Sequence, residues 1–204
     1  MSNKIHSTAV VHPSANIGRG NWIGPFCVIG PHAVIGNNNL LESHVCISSP
    51  PEHREYFREY GYGVEIGDEN IFREFVTANS GSLRKTVIGN KNTMLRGSHA
   101  GHDCIIEDSV TVSCSVMLGG FTHVMRGANI GLGAVIHQNQ VIGSYSITGM
   151  ASVVTKNAEI APGKKYAGNP VRILGPNVVG LERNNVDAEM LKSETLRFFN
   201  LRGR

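Results

Sequence analysis

The chain has 204 residues, enough for one principal domain and a tail, with 24 glycines, 17% charged residues and a formal net charge of +3. No Lys/Arg run stands out, so a nucleic-acid partner is not indicated, and no apolar run reaches the roughly 18 residues of a membrane-spanning helix. The N-terminus carries no apolar signal region, and four cysteines without CxxC spacing read as reduced thiols, so a soluble, cytoplasmic protein without membrane insertion is expected.

Apolar residues recur every six positions almost from the start: Ile5, Val11, Ile17, Ile23, Ile29, Ile35, Leu41 and Ile47. Asn16, Asn21, Asn37, Asn38 and Asn39 fall toward the hexad corners, where tolerance of left-handed backbone is useful. The register breaks at Ser48 to Gly63 (SSPPEHREYFREYGYG), a charged and aromatic loop expected to wall a binding site. Hexads return at Ile66, Phe72 and Ala78, pause at a second loop from Asn79 to Thr86, and restart at Ile88.

From Met94 the sixth-residue series runs without insertion through Ala100, Ile106, Val112, Leu118, Val124, Ile130, Ile136, Ile142, Thr148, Val154 and Ile160 to Tyr166. A second, mostly small series follows four residues later in each hexad, from Ser98 and Cys104 to Ala158. Neither the helical nor the strand period produces this register. It predicts an all-β solenoid, a parallel β-helix of hexapeptide repeats, in which three hexads make one triangular turn and residues 18 apart stack. The small column accounts for Cys27 and Cys104. The β-helix is predicted over residues 1–171 and a C-terminal helical extension over 172–204. In that extension a helix is expected from about Asp187 to Asn200, capping the open end, contacting another subunit or walling a substrate.

Chemistry concentrates in Ser98-His99-Ala100-Gly101-His102-Asp103-Cys104. A carboxylate beside an imidazole holds its tautomer and raises its basicity, as a general base requires. One turn beyond His102 lies Gly120, where a glycine lets a backbone N–H approach a reacting carbonyl. His137 and Gln138 follow a turn later on the same ridge. A zinc site of His99, His102 and His123 is the rival use of these imidazoles. Its spacing within one chain points the ligands in different directions, so no metal is assigned.

These residues carry a resemblance. The segments VHPSANIG, WIGPFCVIGPHAVIGNNNLLESHV, EIGDENIFREFVT, SHAGHDC and IHQN, with Gly175-Pro176-Asn177-Val178-Val179-Gly180-Leu181-Glu182-Arg183 in the tail, resemble the bacterial UDP-N-acetylglucosamine O-acyltransferase family that begins lipid A synthesis. That family is a left-handed parallel β-helix acting as a homotrimer with sites between subunits.

The resemblance implies that His102 is the general base, Asp103 its orienting partner and Gly120 the oxyanion donor. It implies His99, His137, Gln138 and Asn177 as contacts to a nucleotide sugar, and Arg183 and Met150 as contacts to the acyl donor. No bound cofactor is implied; an acyl-carrier-protein or coenzyme A thioester is the co-substrate. The chain departs from the family at Phe121, where a histidine is usual, at Val179 for an acidic residue and at Asn184 for an arginine. It is also shorter between Val45 and Glu65. An acceptor other than UDP-N-acetylglucosamine is therefore open, and a Met at position 150 implies a short or medium acyl chain. Two alternatives are an acetyl-coenzyme A N-acetyltransferase on a nucleotide sugar, suggested by Lys165-Tyr166-Ala167-Gly168-Asn169-Pro170, and a metal-dependent hydratase like the γ-class carbonic anhydrases.

Overall fold

The computed structural model describes residues 2–56 and 60–203; residues 57–59 of the 48–63 loop lie outside the described residues. The hexads wind into a parallel β-solenoid of about nine turns. Its three sheets form the faces of a prism. Face one runs from Lys4–Ile5 to Lys164–Ala167, face two from Val10–Val11 to Val153–Val154, and face three from Asn16–Ile17 to Val141–Ile142.

Two-residue strands suffice here because each hydrogen-bonds to the strand one turn away rather than to its sequence neighbours. His99 pairs with Met117, Met117 with Val135 and Val135 with Val153, all in parallel. Adjacent turns are then about 4.8 Å apart, as paired strands require. Leu40, by contrast, pairs with Ile71 and Thr77 with His99, because the two loops lengthen their turns.

The large series points inward as expected: Met94, Ala100, Ile106, Val112, Leu118, Val124, Ile130, Ile142, Val154 and Ile160 are inaccessible to solvent. So is most of the small series, including Cys27 and Cys104. Ile5 is exposed because it lies in the first turn, at an end of the prism. The asparagines play a different part from the one expected. Of the five placed at hexad corners, only Asn38 takes the left-handed backbone (φ 55°). Asn21, Asn39 and Asn70 turn inward and form a buried ladder: the Oδ1 of Asn21 and of Asn39 each accept from the backbone N–H and the side-chain amide of the asparagine one turn on, and the Oδ1 of Asn70 accepts from the Asn92 N–H. Burial of an amide is tolerated because both of its ends are hydrogen-bonded.

At the far end, the strand Arg172–Pro176 folds back antiparallel on Lys164–Ala167 and stops the parallel pairing. Two helices follow, α1 (Val178–Arg183) and α2 (Ala188–Arg202), the second capped by the Asp187 carboxylate accepting from Met190 N–H at 2.8 Å. Helix α2 does not cover the open end of the prism. It lies along face three, where Phe198 is buried against Met125, Val141 and Ala161. Charges lock it there: Arg197 pairs with Glu107 and Glu194, Glu194 with Arg126, and Ser144 Oγ donates to Glu194 at 2.5 Å. Burial pushes the Glu107 carboxyl up, but His123 and Arg197 more than offset this and hold it at about 2.

Candidate active site

The edge where face two turns into face three carries the SHAGHDC segment. His99 and Ala100 form a face-two strand, Ile105 begins one on face three, and Gly101 to Cys104 make the turn between them. Asp103 sits there with φ 61°, a conformation costing a non-glycine residue about 1–2 kcal/mol. Hydrogen bonds compensate. The Asp103 carboxylate accepts from the backbone N–H groups of Ser82, Leu83 and Arg84 at 2.8–2.9 Å and from the Ser82 hydroxyl at 2.7 Å. The loop of residues 79–86 is therefore a cradle for one buried carboxylate. Burial alone would raise the Asp103 pKa, but the Ser82 amide, His102, the Ser82 hydroxyl and the Leu83 amide hold it at about 2.

The same Oδ2 that takes the Ser82 hydroxyl lies 2.7 Å from His102 Nδ1. With Nδ1–H donating to an ionised carboxylate, the neutral imidazole leaves Nε2 as a free acceptor. The ring is held edge-on by Phe121 and His53, at centroid distances of 5.2 and 5.7 Å, and Arg84 Cζ lies 5.9 Å from the Phe121 ring centroid. Phe121, the departure from the family, is thus a wall for the base.

Gly120 stacks one turn beyond. A Cβ on it would meet His102 Nε2 at 2.6 Å and Cε1 at 2.7 Å, so only glycine lets the imidazole lie over this stretch of backbone. Gly119 N–H is spent on Ile136 O and Phe121 N–H on His102 O. Among the described residues the Gly120 N–H has no acceptor. His102 Nε2 and the Gly120 backbone therefore lie side by side, bordering one small volume.

That volume opens into a cleft of about 250 Å3 lined by Glu52, His99, His102, Gly120 and Gln138, with Met117 and Val135 as its apolar floor. His99 is buried, its Nδ1 2.7 Å from Thr77 Oγ1 and its Nε2 3.4 Å from Glu52 Oε2. The structure thus brings together His99, His102, Asp103, Gly120 and Gln138. His137 stands one residue off the cleft, exposed, with Nδ1 2.8 Å from the Gln138 carbonyl oxygen. His123, the third imidazole of the rival metal set, lies on face three, where Nε2 meets Glu107 at 2.6 Å, far from any partnership with His99 and His102.

The remaining site residues occupy the other two edges. Met150 lies on the turn from face one to face two, three turns along the axis from His99 and 71% exposed. Asn177 lies by the third edge, where it is buried: Nδ2 donates to Tyr145 O at 2.8 Å, and Oδ1 accepts from Gly180 N–H as the cap of α1. In this chain that side chain therefore has a structural task. Arg183 closes the same short helix and is exposed.

Sequence reasoning did not single out Ser82, Thr77, Glu52 or His53. All four come from outside the uninterrupted hexads. The only signal was the interruption itself: two loops break the repeat at turns directly preceding the SHAGHDC turn.

A family model described as bacterial transferase hexapeptide (six repeats) matches residues 14–49. The acyl-(acyl-carrier-protein)–UDP-N-acetylglucosamine O-acyltransferase of Alkalilimnicola ehrlichii is 33% identical over 210 residues, covering 93% of this chain and 80% of the relative. That of Rhizobium johnstonii is 32% identical, covering 93% and 76%. Among solved structures, LpxA of Acinetobacter baumannii superposes with a TM-score of 0.77 at 30% identity, covering 94% of this chain and 81% of that one. LpxA of Bacteroides fragilis, a UDP-N-acetylglucosamine acyltransferase, gives 0.80 at 28% identity, covering 94% and 82%.

Proposed function

This chain belongs to the UDP-N-acetylglucosamine O-acyltransferase family, and we propose that it moves an acyl group from an acyl-carrier-protein thioester to the hydroxyl or amine of a nucleotide-linked amino sugar, in lipid A assembly. The observation that carries the mechanism is the His102–Asp103 pair lying over Gly120. His102 Nε2 takes a proton from the acceptor as its oxygen or nitrogen attacks the thioester carbonyl carbon. Asp103 stabilises the imidazolium, and the Gly120 N–H binds the oxyanion. The tetrahedral intermediate collapses with loss of the C–S bond, and His102 returns the proton to the leaving thiolate. No bound cofactor takes part.

The assembly follows from the same reading. His102, Met150 and Arg183 lie on three different edges of one prism, too far round it to meet on a single substrate. In a homotrimer, one chain's base faces residues that a neighbouring chain supplies, and the cleft lies between subunits. Among the described residues no helix is long and apolar enough to cross a membrane.

The reading is tested by following thiol release from acyl-carrier-protein thioesters with UDP-N-acetylglucosamine and its amino analogues. Release is expected only when donor and acceptor are both present; release indifferent to the acceptor would overturn it. Coenzyme A thioesters in the same panel identify the carrier.

Chain length gives a second readout. Because Met150 is taken to fill the end of the acyl groove, the wild-type protein is expected to favour short or medium donors. Met150→Gly should move the preference by several carbons, since each buried CH2 is worth about 0.8 kcal/mol. Equal use of long and short donors by the wild type would refute this role.

A further inference from the structure

An ionised carboxylate holds a proton on a neighbouring imidazole more strongly the fewer other donors share its charge. Asp103 is fully buried and has several such donors. Its Oδ1 accepts from the Leu83 and Arg84 amides, and its Oδ2 accepts from the Ser82 amide, the Ser82 hydroxyl and His102 Nδ1. Two groups of Ser82 thus clasp the one oxygen that also holds the base. The hydroxyl is 2.7 Å from Oδ2 and 3.5 Å from His102 Nδ1, so it lies against the hydrogen bond between them.

Apart from His102, this hydroxyl is the only side-chain donor to the carboxylate among the described residues; the others are main-chain amides. The charge left on Oδ2 therefore depends on the side chain at position 82 and not only on the path of the loop. Ser82 is 3% exposed, so bulk water does not compete for the same oxygen. Gly81 lets the loop close here, since a Cβ on it would collide with the Arg84 carbonyl oxygen. A general base works best when it is neither too weak to take a proton nor already carrying one.

We propose that Ser82 is a positioning residue for the general base: its hydroxyl shares Asp103 Oδ2 with His102 Nδ1–H, limits the pull of the carboxylate on the imidazole, and so keeps Nε2 available for the acceptor's proton. This deepens the acyl-transfer reading and rests on it for the role of His102. During transfer Nε2 receives the acceptor's proton, Nδ1–H stays on Nδ1 and Asp103 remains ionised. Ser82 donates throughout and exchanges no proton with the substrate. The other titratable or charged groups around His102 are His53 and Glu52 of the 48–63 loop, His99 of the face-two strand and Arg84, which lies over the Phe121 ring. A substitution at Ser82 alters none of them.

The experiment titrates the full chain without substrate by NMR, with histidine labelled at Cε1 and the His102 signal identified by its loss in His102→Ala. In Ser82→Ala the midpoint of that signal is expected to rise by about half to one pH unit, part of what one hydrogen bond to a charged group is worth. Ser82→Thr keeps the hydroxyl and should titrate with the wild type. In thiol release, the acid limb of kcat/KM should move with the signal. A hydroxyl that only held the loop would lower the melting temperature and leave the midpoint in place. An unchanged midpoint in Ser82→Ala, or one displaced as far in Ser82→Thr, would therefore overturn the proposal. A wild type that releases no thiol would overturn the acyl-transfer reading instead, because the midpoints are read without substrate.

Discussion

Alanine at position 102 is expected to lower kcat by about 10²–10⁴-fold, the usual contribution of a positioned general base. The loss should be nearly pure in kcat. The imidazole lies on the prism's edge and contributes nothing to the apolar interior, and the backbone carbonyl that accepts from Phe121 N–H at 2.9 Å survives the substitution. Thermal unfolding should therefore stay close to that of the wild type, and KM for the acyl donor should change little. Thiol release in the presence of acceptor, measured beside a melting curve, checks both halves. A His102→Ala protein that melts normally and retains more than about a tenth of wild-type kcat would remove His102 as the base. The steric fit gives this weight: a ring that tolerates no Cβ on Gly120 beneath Nε2 is held for its nitrogen, since an apolar filler of the same edge would need no bare backbone.

Asp103→Ala is expected to damage stability and turnover together. Three backbone amides and a hydroxyl lose their buried acceptor, each at about 1–3 kcal/mol before the 79–86 loop relaxes, and His102 loses its tautomer. Loss of cooperative folding in that loop, seen as faster amide exchange from Ser82 to Arg84, separates this variant from His102→Ala.

The wild type carries the same information in its pH dependence. Asp103 has a folded pKa of about 2 against an ordinary value of 3.8, a depressed carboxyl, so its contribution of about 2 kcal/mol is fully present above pH 4. It disappears as pH falls from there through 2. Glu107, also at about 2 and tied to Arg197 of α2, loses its share over a similar acid range. Acid unfolding should therefore begin below about pH 4 and take both the cradle and α2 with it. Stability flat down to pH 2 would contradict both hydrogen-bond assignments.

How far the sequence could be read follows from where each interaction partner lies along the chain. The solenoid was legible because its rule is local: one inward residue every six, and a three-hexad turn that makes position 120 the neighbour of 102 by counting alone. The stacking of Gly120 on His102, the burial of Cys27 and Cys104, and the approach of Gln138 all follow from that count. The count fails where loops lengthen a turn. Thr77 meets His99 across a turn of 22 residues, and Ser82 reaches Asp103 from a loop with no period, so neither contact can be obtained by adding eighteen.

The sequence by itself determined the solenoid, the edge on which His102 and Gly120 meet, and the departures at Phe121, Val179 and Asn184. Only the tertiary structure decided that α2 lies along face three rather than over the open end, because that choice depends on Phe198 and Glu194 finding Met125, Val141, Arg126 and Ser144, partners scattered over the chain. It also turned Asn177 into a helix cap and made the loop at 79–86 the cradle of Asp103. It set Glu52 beside His99 in the cleft, since a carboxylate on an irregular loop takes its place from the backbone around it and not from any repeat.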